Sequence, residues 1–267
     1  METSFRSFIN KVAKVAERKI NVETKETNKE KQNVQKLVTL LRECPIPNEQ
    51  VLSNLGLFLT SKELARILFV DFIYRQAIEV QGIIVEFGTR WGNNLAIFEA
   101  LRGIYEPFNK LKQIIGFDTF EGFPHVSSED GNSNPLVSVG NLSCTVNYPD
   151  YLDRIMKCHE ESNPLSYIKK YKIRVGDVTK EIDRYLKDNP ETIIALAFFD
   201  LDLYRPTKKC LEAIRSHLVR GSILAFDELN DHNWPGETIA LKEVFGLNNI
   251  RLKRHPQASR VSYFAVE

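Results

Sequence analysis

Cysteine, methionine and tryptophan are scarce in this chain: four, two and two residues out of 267. Cys44, Cys144, Cys158 and Cys210 are scattered, with no C-x-x-C spacing. That argues against a zinc knuckle and a disulfide scaffold, and it fits a reducing compartment. Neither sign of charge is in excess: 36 Lys and Arg stand against 35 Asp and Glu, a net charge of +1. A field that weak does not recruit nucleic acid. The basic stretch from Lys11 to Lys31 is interleaved with Glu17, Glu23, Glu26 and Glu30, the pattern of a solvated helix face. No apolar run approaches bilayer-spanning length, and no apolar h-region follows Met1. The expectation is therefore a cytoplasmic protein with no membrane partner. Asn141-Leu142-Ser143 then matches a glycosylation acceptor only by chance. Internal repeats are absent too.

What is present suits one sizeable core, with 43% hydrophobic and 27% charged residues. Residues 4–43 carry helical periodicity. Its clearest piece is 34–44, where Val34, Leu37, Val38 and Leu41 form one stripe before Pro45 and Pro47 break it. A second helix is expected from "TSKE", with Thr60 or Ser61 as cap, running through a dense apolar segment that packs on the core. Short β-branched runs then alternate with helical ones. Strands are expected at 82–88, 113–118, 171–177, 193–202 and 222–228, and two more, 249–254 and 260–267, read as an antiparallel hairpin. This is an α/β fold with a parallel sheet and helices on both faces. A helical extension over 1–60 precedes a main domain over 61–267. Residues 123–170 are too long for a plain connection and read as a lid, with a helix at "PDYLDRIMKCHE".

Each expected parallel strand ends in an acid: Glu86, Asp118, Asp177, the pair Asp200 and Asp202, and Asp227 with Glu228. Ligands bind beyond the carboxyl ends of such strands. In "VEFGTRWGNN", Gly88 and Gly92 bracket a strand-to-helix turn, where backbone N–H groups approach an anionic ligand end. Asp118 is placed to accept from ribose hydroxyls and Asp177 from an adenine amine. Arg90 stands where a dinucleotide fingerprint wants a small residue, so an adenosyl ligand with a carboxylate and no pyrophosphate fits better. Asp200 and Asp202 share one side of an extended strand. With Asp227 and Glu228, and no His/Cys cluster, they suit a hard cation, Mg²⁺ or Ca²⁺. The other reading is a salt-bridged cluster using Arg205 or Lys208.

"IIVEFGTRWGNN", "IGFDTFEGFP", "RVGDV", "FFDLDLYRPT" and "GSILAFDELNDHNWPG" together resemble the metal-dependent sugar O-methyltransferases of the macrocin O-methyltransferase (TylF/MycF) type, over roughly 60–267. Bacteria use those enzymes on sugars of natural products. The resemblance implies a class I methyltransferase fold using S-adenosylmethionine and Mg²⁺. It implies Asp202 as general base and Asp200, Asp227 and Glu228 as metal ligands. Glu86, Gly88, Asp118 and Asp177 would hold the cofactor, with Thr89, Arg90, Thr119, Phe120 and Val178 beside them. The family often has Asp-Asp where this chain has Asp227-Glu228. His125 in the lid, and His232 and Trp234 in "NDHNWPG", are expected near the acceptor, although an exposed loop histidine and a turn packed by Trp234 explain the same residues. The acceptor is a sugar or nucleotide sugar, and a homo-oligomer is expected from the N-terminal helices. Three rival readings are a nicotinamide-dependent oxidoreductase, a methyltransferase-like hydroxylase that uses its acids for iron, which the scarcity of His near 200–228 argues against, and a non-catalytic binding module on a relic fold.

Overall fold

A computed structural model describes residues 27–131 and 134–267. The helical reading of 4–26 lies outside them. The chain divides into two compact units, 1–65 and 66–267. In the first, helix α1 (Asn28–Arg42) starts at a capping box, in which Thr27 and Glu30 each satisfy the other's backbone N–H. A one-turn helix α2 (Asn48–Val51) runs into a 3₁₀ segment (Leu52–Phe58). Helix α3 (Ser61–Ala77) begins at the end of this unit and continues into the second.

The second unit carries β1 (Ile83–Phe87), α4 (Asn93–Tyr105), β2 (Ile114–Asp118), α5 (Tyr148–Glu161), β3 (Tyr171–Val175) and α6 (Val178–Asp188). It continues with β4 (Ile194–Phe199), α7 (Tyr204–Ile214), β5 (Leu218–Phe226), α8 (Gly236–Val244), β6 (Lys253–His255) and β7 (Ala258–Ala265). Among the described residues the strands form one sheet in the order β3-β2-β1-β4-β5-β7-β6. The first five are mutually parallel and β7 is antiparallel to both of its neighbours. This is the expected architecture, with the C-terminal hairpin at the sheet edge.

Period-two alternation builds the core on both faces. Along β4, Leu196 and Phe198 face a layer with Phe69, Ile73 and Phe98, while Ala197 and Phe199 face another with Ile182, Leu211 and Leu241. Every residue of β1 and β4 is buried. Continuous apolar runs are what central parallel strands require. Strand order reverses direction between β1 and β4. In open sheets of this kind ligands bind at that switch point, beyond the strands' carboxyl ends.

The 123–170 insertion is held to this body at several places: Cys144, Leu152 and Met156 join the main core, and Glu160 pairs with Arg102. Phe123, Leu136, Leu203 and Trp234 form a small core of their own. Buried Asp130 accepts from the Ser127 N–H and, with its other oxygen, from the Tyr204 N–H at 2.5 Å. It thereby supplies the N-terminal cap that Leu203 cannot give α7.

Candidate active site

The turn after β1 is shaped by close backbone contact. The Asp200 N–H donates to the Phe87 carbonyl at 2.8 Å, and Gly88 has φ 89°. A Cβ at Gly88 would overlap the Asp200 carbonyl. Gly88 is thus required by the packing of β1's tip on β4's tip, in addition to any approach of a ligand. Gly92, at φ 76°, leads into α4 and leaves that helix without a side-chain cap, so its first N–H groups remain available to an anion.

Asp118 is held by two backbone amides. Its Oδ2 accepts from the Arg90 N–H at 2.7 Å and its Oδ1 from the Phe120 N–H at 2.6 Å. Arg90 and Phe120 reach these positions with φ of 46° and 57°, unusual for side-chain-bearing residues. Backbone of this kind clusters at ligand sites. Burial pushes the Asp118 carboxyl up, and the two amides work against that shift. The Thr119 hydroxyl donates to the Gly122 carbonyl at 2.7 Å, closing the loop under Asp118. Asp177 also holds local structure together, because its Oδ1 caps α6 by accepting from the Thr179 N–H and hydroxyl. Val178 sends its side chain into the core. Thr89 and Glu86 are buried at β1's end. Burial pushes Glu86 up to about 8, with the Asn94 side chain and the Arg66 guanidinium offsetting part of the shift.

Between β1, β4 and β5 lies a crowd of acids. β4 ends at Phe199, and Asp202 sits beyond it in the left-handed region with φ 62°. Strand alternation therefore does not place Asp200 and Asp202; a sharp turn does. Asp202 is only 8% exposed and stands against Glu228. Two carboxyl groups in contact must share a proton or a cation. Burial and the Asp202 charge push Glu228 up to about 12, while the bond from Glu228 holds Asp202 down against the lift that burial gives it. Glu228 and Asp202 therefore titrate as a pair, and burial lifts both.

The remaining acids meet arginines. Arg66, on α3, donates through Nη2 to Asp200 at 2.8 Å, through Nη1 to Asp227, and through Nε to the Asn94 side chain at 3.2 Å. Burial disfavours its charge, but Asp227 and Asp200 outweigh this and raise its pKa. Asp200 is pushed well up by burial and Asp227, with Arg66 counteracting. Arg260, on β7, pairs with Glu228. Of the cations singled out from sequence, Lys208 pairs elsewhere, with Glu243 at 2.7 Å. Among the described residues, no group of three or more His, Cys, Asp or Glu side chains is arranged to hold a metal ion. The three expected ligands do not fit an ion as they stand, because arginine occupies them.

Sequence reading missed Arg66, Arg260 and Glu237. Glu237 is fully buried in the first turn of α8, and its Oε1 accepts from the Leu201 N–H at 3.0 Å, bracing the Asp200–Asp202 turn. Burial and the Asp202 charge push it well above the carboxylate range. Arg66 had a signal, a cation inside an apolar helix; helix α8 had one too, with Pro235 before it, Glu237 in its first turn, Lys242 in its last and Gly246 after its end. His125 and His232 are exposed, and Trp234 belongs to the small core, 6.2 Å from Phe123 in an edge-to-face pair.

The sheet order, the glycine turn and the amide-held acid at β2's tip define a class I S-adenosylmethionine-dependent methyltransferase. No protein-family model matches the chain, and no curated protein matches it. Solved structures do. The chain is 42% identical to a structure described as CalS11, calicheamicin methyltransferase, covering 94% of this chain and 97% of that one at TM-score 0.89. It is 41% identical to an apo structure of CalS11 described as a TDP-rhamnose 3'-O-methyltransferase, covering 91% and 96% at TM-score 0.80. The O-methyltransferase NovP, at 15% identity and TM-score 0.58 over 88% and 98%, shares the fold. The chain belongs to the CalS11 family and is an S-adenosylmethionine-dependent O-methyltransferase. The nicotinamide, hydroxylase and non-catalytic readings are thereby set aside.

Proposed function

We propose that this enzyme methylates a hydroxyl of a sugar, carried on a nucleotide or on a glycosylated natural product, as a cytoplasmic homo-oligomer of the macrocin O-methyltransferase type. The acceptor named for CalS11, TDP-rhamnose, supports the substrate class. The observation that carries the chemistry is Asp202: a buried carboxyl, lifted by burial and fixed in a left-handed turn at the same rim as the cofactor-side turn.

The sulfonium of S-adenosylmethionine supplies an activated methyl group. What the protein must add is orientation and a place for the acceptor's proton. Asp118, with its oxygens aimed by the Arg90 and Phe120 amides, holds the ribose. The uncapped N–H groups opening α4 would receive the cofactor's carboxylate. Asp202 accepts the proton of the sugar hydroxyl as the oxygen attacks. Glu228 beside it, held by Arg260, lies against Asp202 and limits where its carboxyl can point. No step is routed through Mg²⁺, since the carboxylates that would hold it are engaged by Arg66 and Arg260. His125 and His232 are solvent-facing residues for acceptor contact, and Trp234 shapes the acceptor side through the small core.

The variant Asp202→Asn tests this reading. S-adenosylmethionine binding, measured by calorimetry, is expected to match wild type, while methyl transfer to TDP-rhamnose falls by about 10²–10⁴-fold. Turnover near the wild-type rate removes Asp202 as the base.

A further inference from the structure

Three carboxylates at the rim have the chemistry of a hard-cation cage, yet each faces an arginine. Arg66 spans the first two: Nη2 on Asp200 and Nη1 on Asp227, so one guanidinium bridges the tips of β4 and β5. Its third edge is used as well, with Nε on the Asn94 side chain, and its face lies 5.0 Å from the centre of the Phe198 ring. A planar fork fixed on three edges and one face is a built position. The third carboxylate has been drawn elsewhere. Glu228, one methylene longer than an aspartate, reaches Arg260 and Asp202.

We propose that Arg66 is a built-in counter-cation: it takes the place of a divalent ion between Asp200 and Asp227, and the wild-type protein has no high-affinity divalent site at this rim. The chemistry favours exclusion. A divalent ion needs several oxygens converging at about 2.0–2.6 Å, and one oxygen of each aspartate, Asp200 Oδ2 and Asp227 Oδ1, accepts from Arg66 instead. Like charges that a metal would neutralise are here neutralised by a side chain that cannot be removed by a chelator. The two modes are mutually exclusive, because guanidinium and ion would stand within contact distance with the same sign of charge.

The test uses Mn²⁺ as probe and the full-length protein, read by the loss of free-ion electron paramagnetic resonance signal, with no acceptor and no turnover involved. Its outcome is therefore separate from that of the sugar methylation reading. Wild type is expected to bind Mn²⁺ at least tenfold more weakly than Arg66→Met, in which one site per chain opens. The double variant Arg66→Met, Asp200→Asn is expected to lose that site. Should Arg66→Met fail to fold, Arg66→Lys replaces it: a single ammonium cannot span both carboxylates, so Mn²⁺ affinity is expected between the two. One tight Mn²⁺ per wild-type chain overturns the proposal. So does failure of every folded Arg66 variant to bind the ion more tightly than wild type.

Discussion

Two charged clusters in the second unit follow opposite rules. Below the sheet's rim, Glu99, Arg102, Glu160 and Lys170 form a buried network joining α4, α5 and the start of β3, each at most 3% exposed. It is balanced, two acids with two bases, and densely bonded. Glu160 accepts from Arg102 and from the Lys170 N–H, each at 2.8 Å, and the Lys170 ammonium also reaches the Leu165 and Ile168 carbonyls at 2.9 Å. At the rim, Glu86, Asp200, Asp202, Asp227, Glu228 and Glu237 face Arg66 and Arg260. Acids are in excess there, and protons stay bound to some of them. The network below the rim matches its acids with bases in number, although burial still lifts Glu99 to about 7. The rim keeps carboxylates whose protonation can change, at a cost that the surrounding fold must cover.

That contrast can be broken from either side. Arg102→Met strands Glu99 in the core, while Glu160 keeps Lys170, and is expected to destabilise by about 3–5 kcal/mol, read as a lowered midpoint in chemical denaturation. A loss under about 1 kcal/mol would mean the balanced network is not structural. Gly88→Ala is next. Left-handed strain of roughly 1–2 kcal/mol and overpacking of roughly 1–3 kcal/mol against the Asp200 carbonyl should lower the thermal midpoint and displace the Asp200–Asp202 turn. A variant as stable and active as wild type would show that the tips of β1 and β4 are not locked together. The third effect is graded. Burial lifts Asp202 above the usual aspartate range, so the acid limb of kcat/KM should lie above the ordinary value of 3.8. Activity should fall about tenfold per pH unit below that limb, since the base works only when ionised. A limb at or below 3.8 would contradict the buried environment of Asp202.

Much of the framework was readable in the chain. Strands with continuous apolar runs, such as 193–199, announce themselves, and so do helices with a clear stripe or a breaker. The acids at the strand tips were legible for the same reason: polarity resumes where a buried strand ends. Partners were not. Arg66 precedes Asp200 by more than a hundred positions and Arg260 follows Glu228 from a different strand, so only tertiary structure brings them together. Helix α8 hid behind Pro235 and Gly236, which read as a turn, and Glu237 hid with it. Asp130 looked like one more polar loop residue, yet it caps a helix far along the chain. The alternation that grouped Asp200 with Asp202 was the wrong reason for a correct grouping, because the strand stops first.

The most direct test of the central claim is transfer of labelled methyl from S-adenosylmethionine to a panel of nucleotide-linked deoxysugars headed by TDP-rhamnose. Label is expected on a sugar hydroxyl, in a product heavier by one methylene unit. Binding of S-adenosylmethionine with no label appearing on any sugar, while a non-sugar hydroxyl such as a catechol is methylated, would contradict the account.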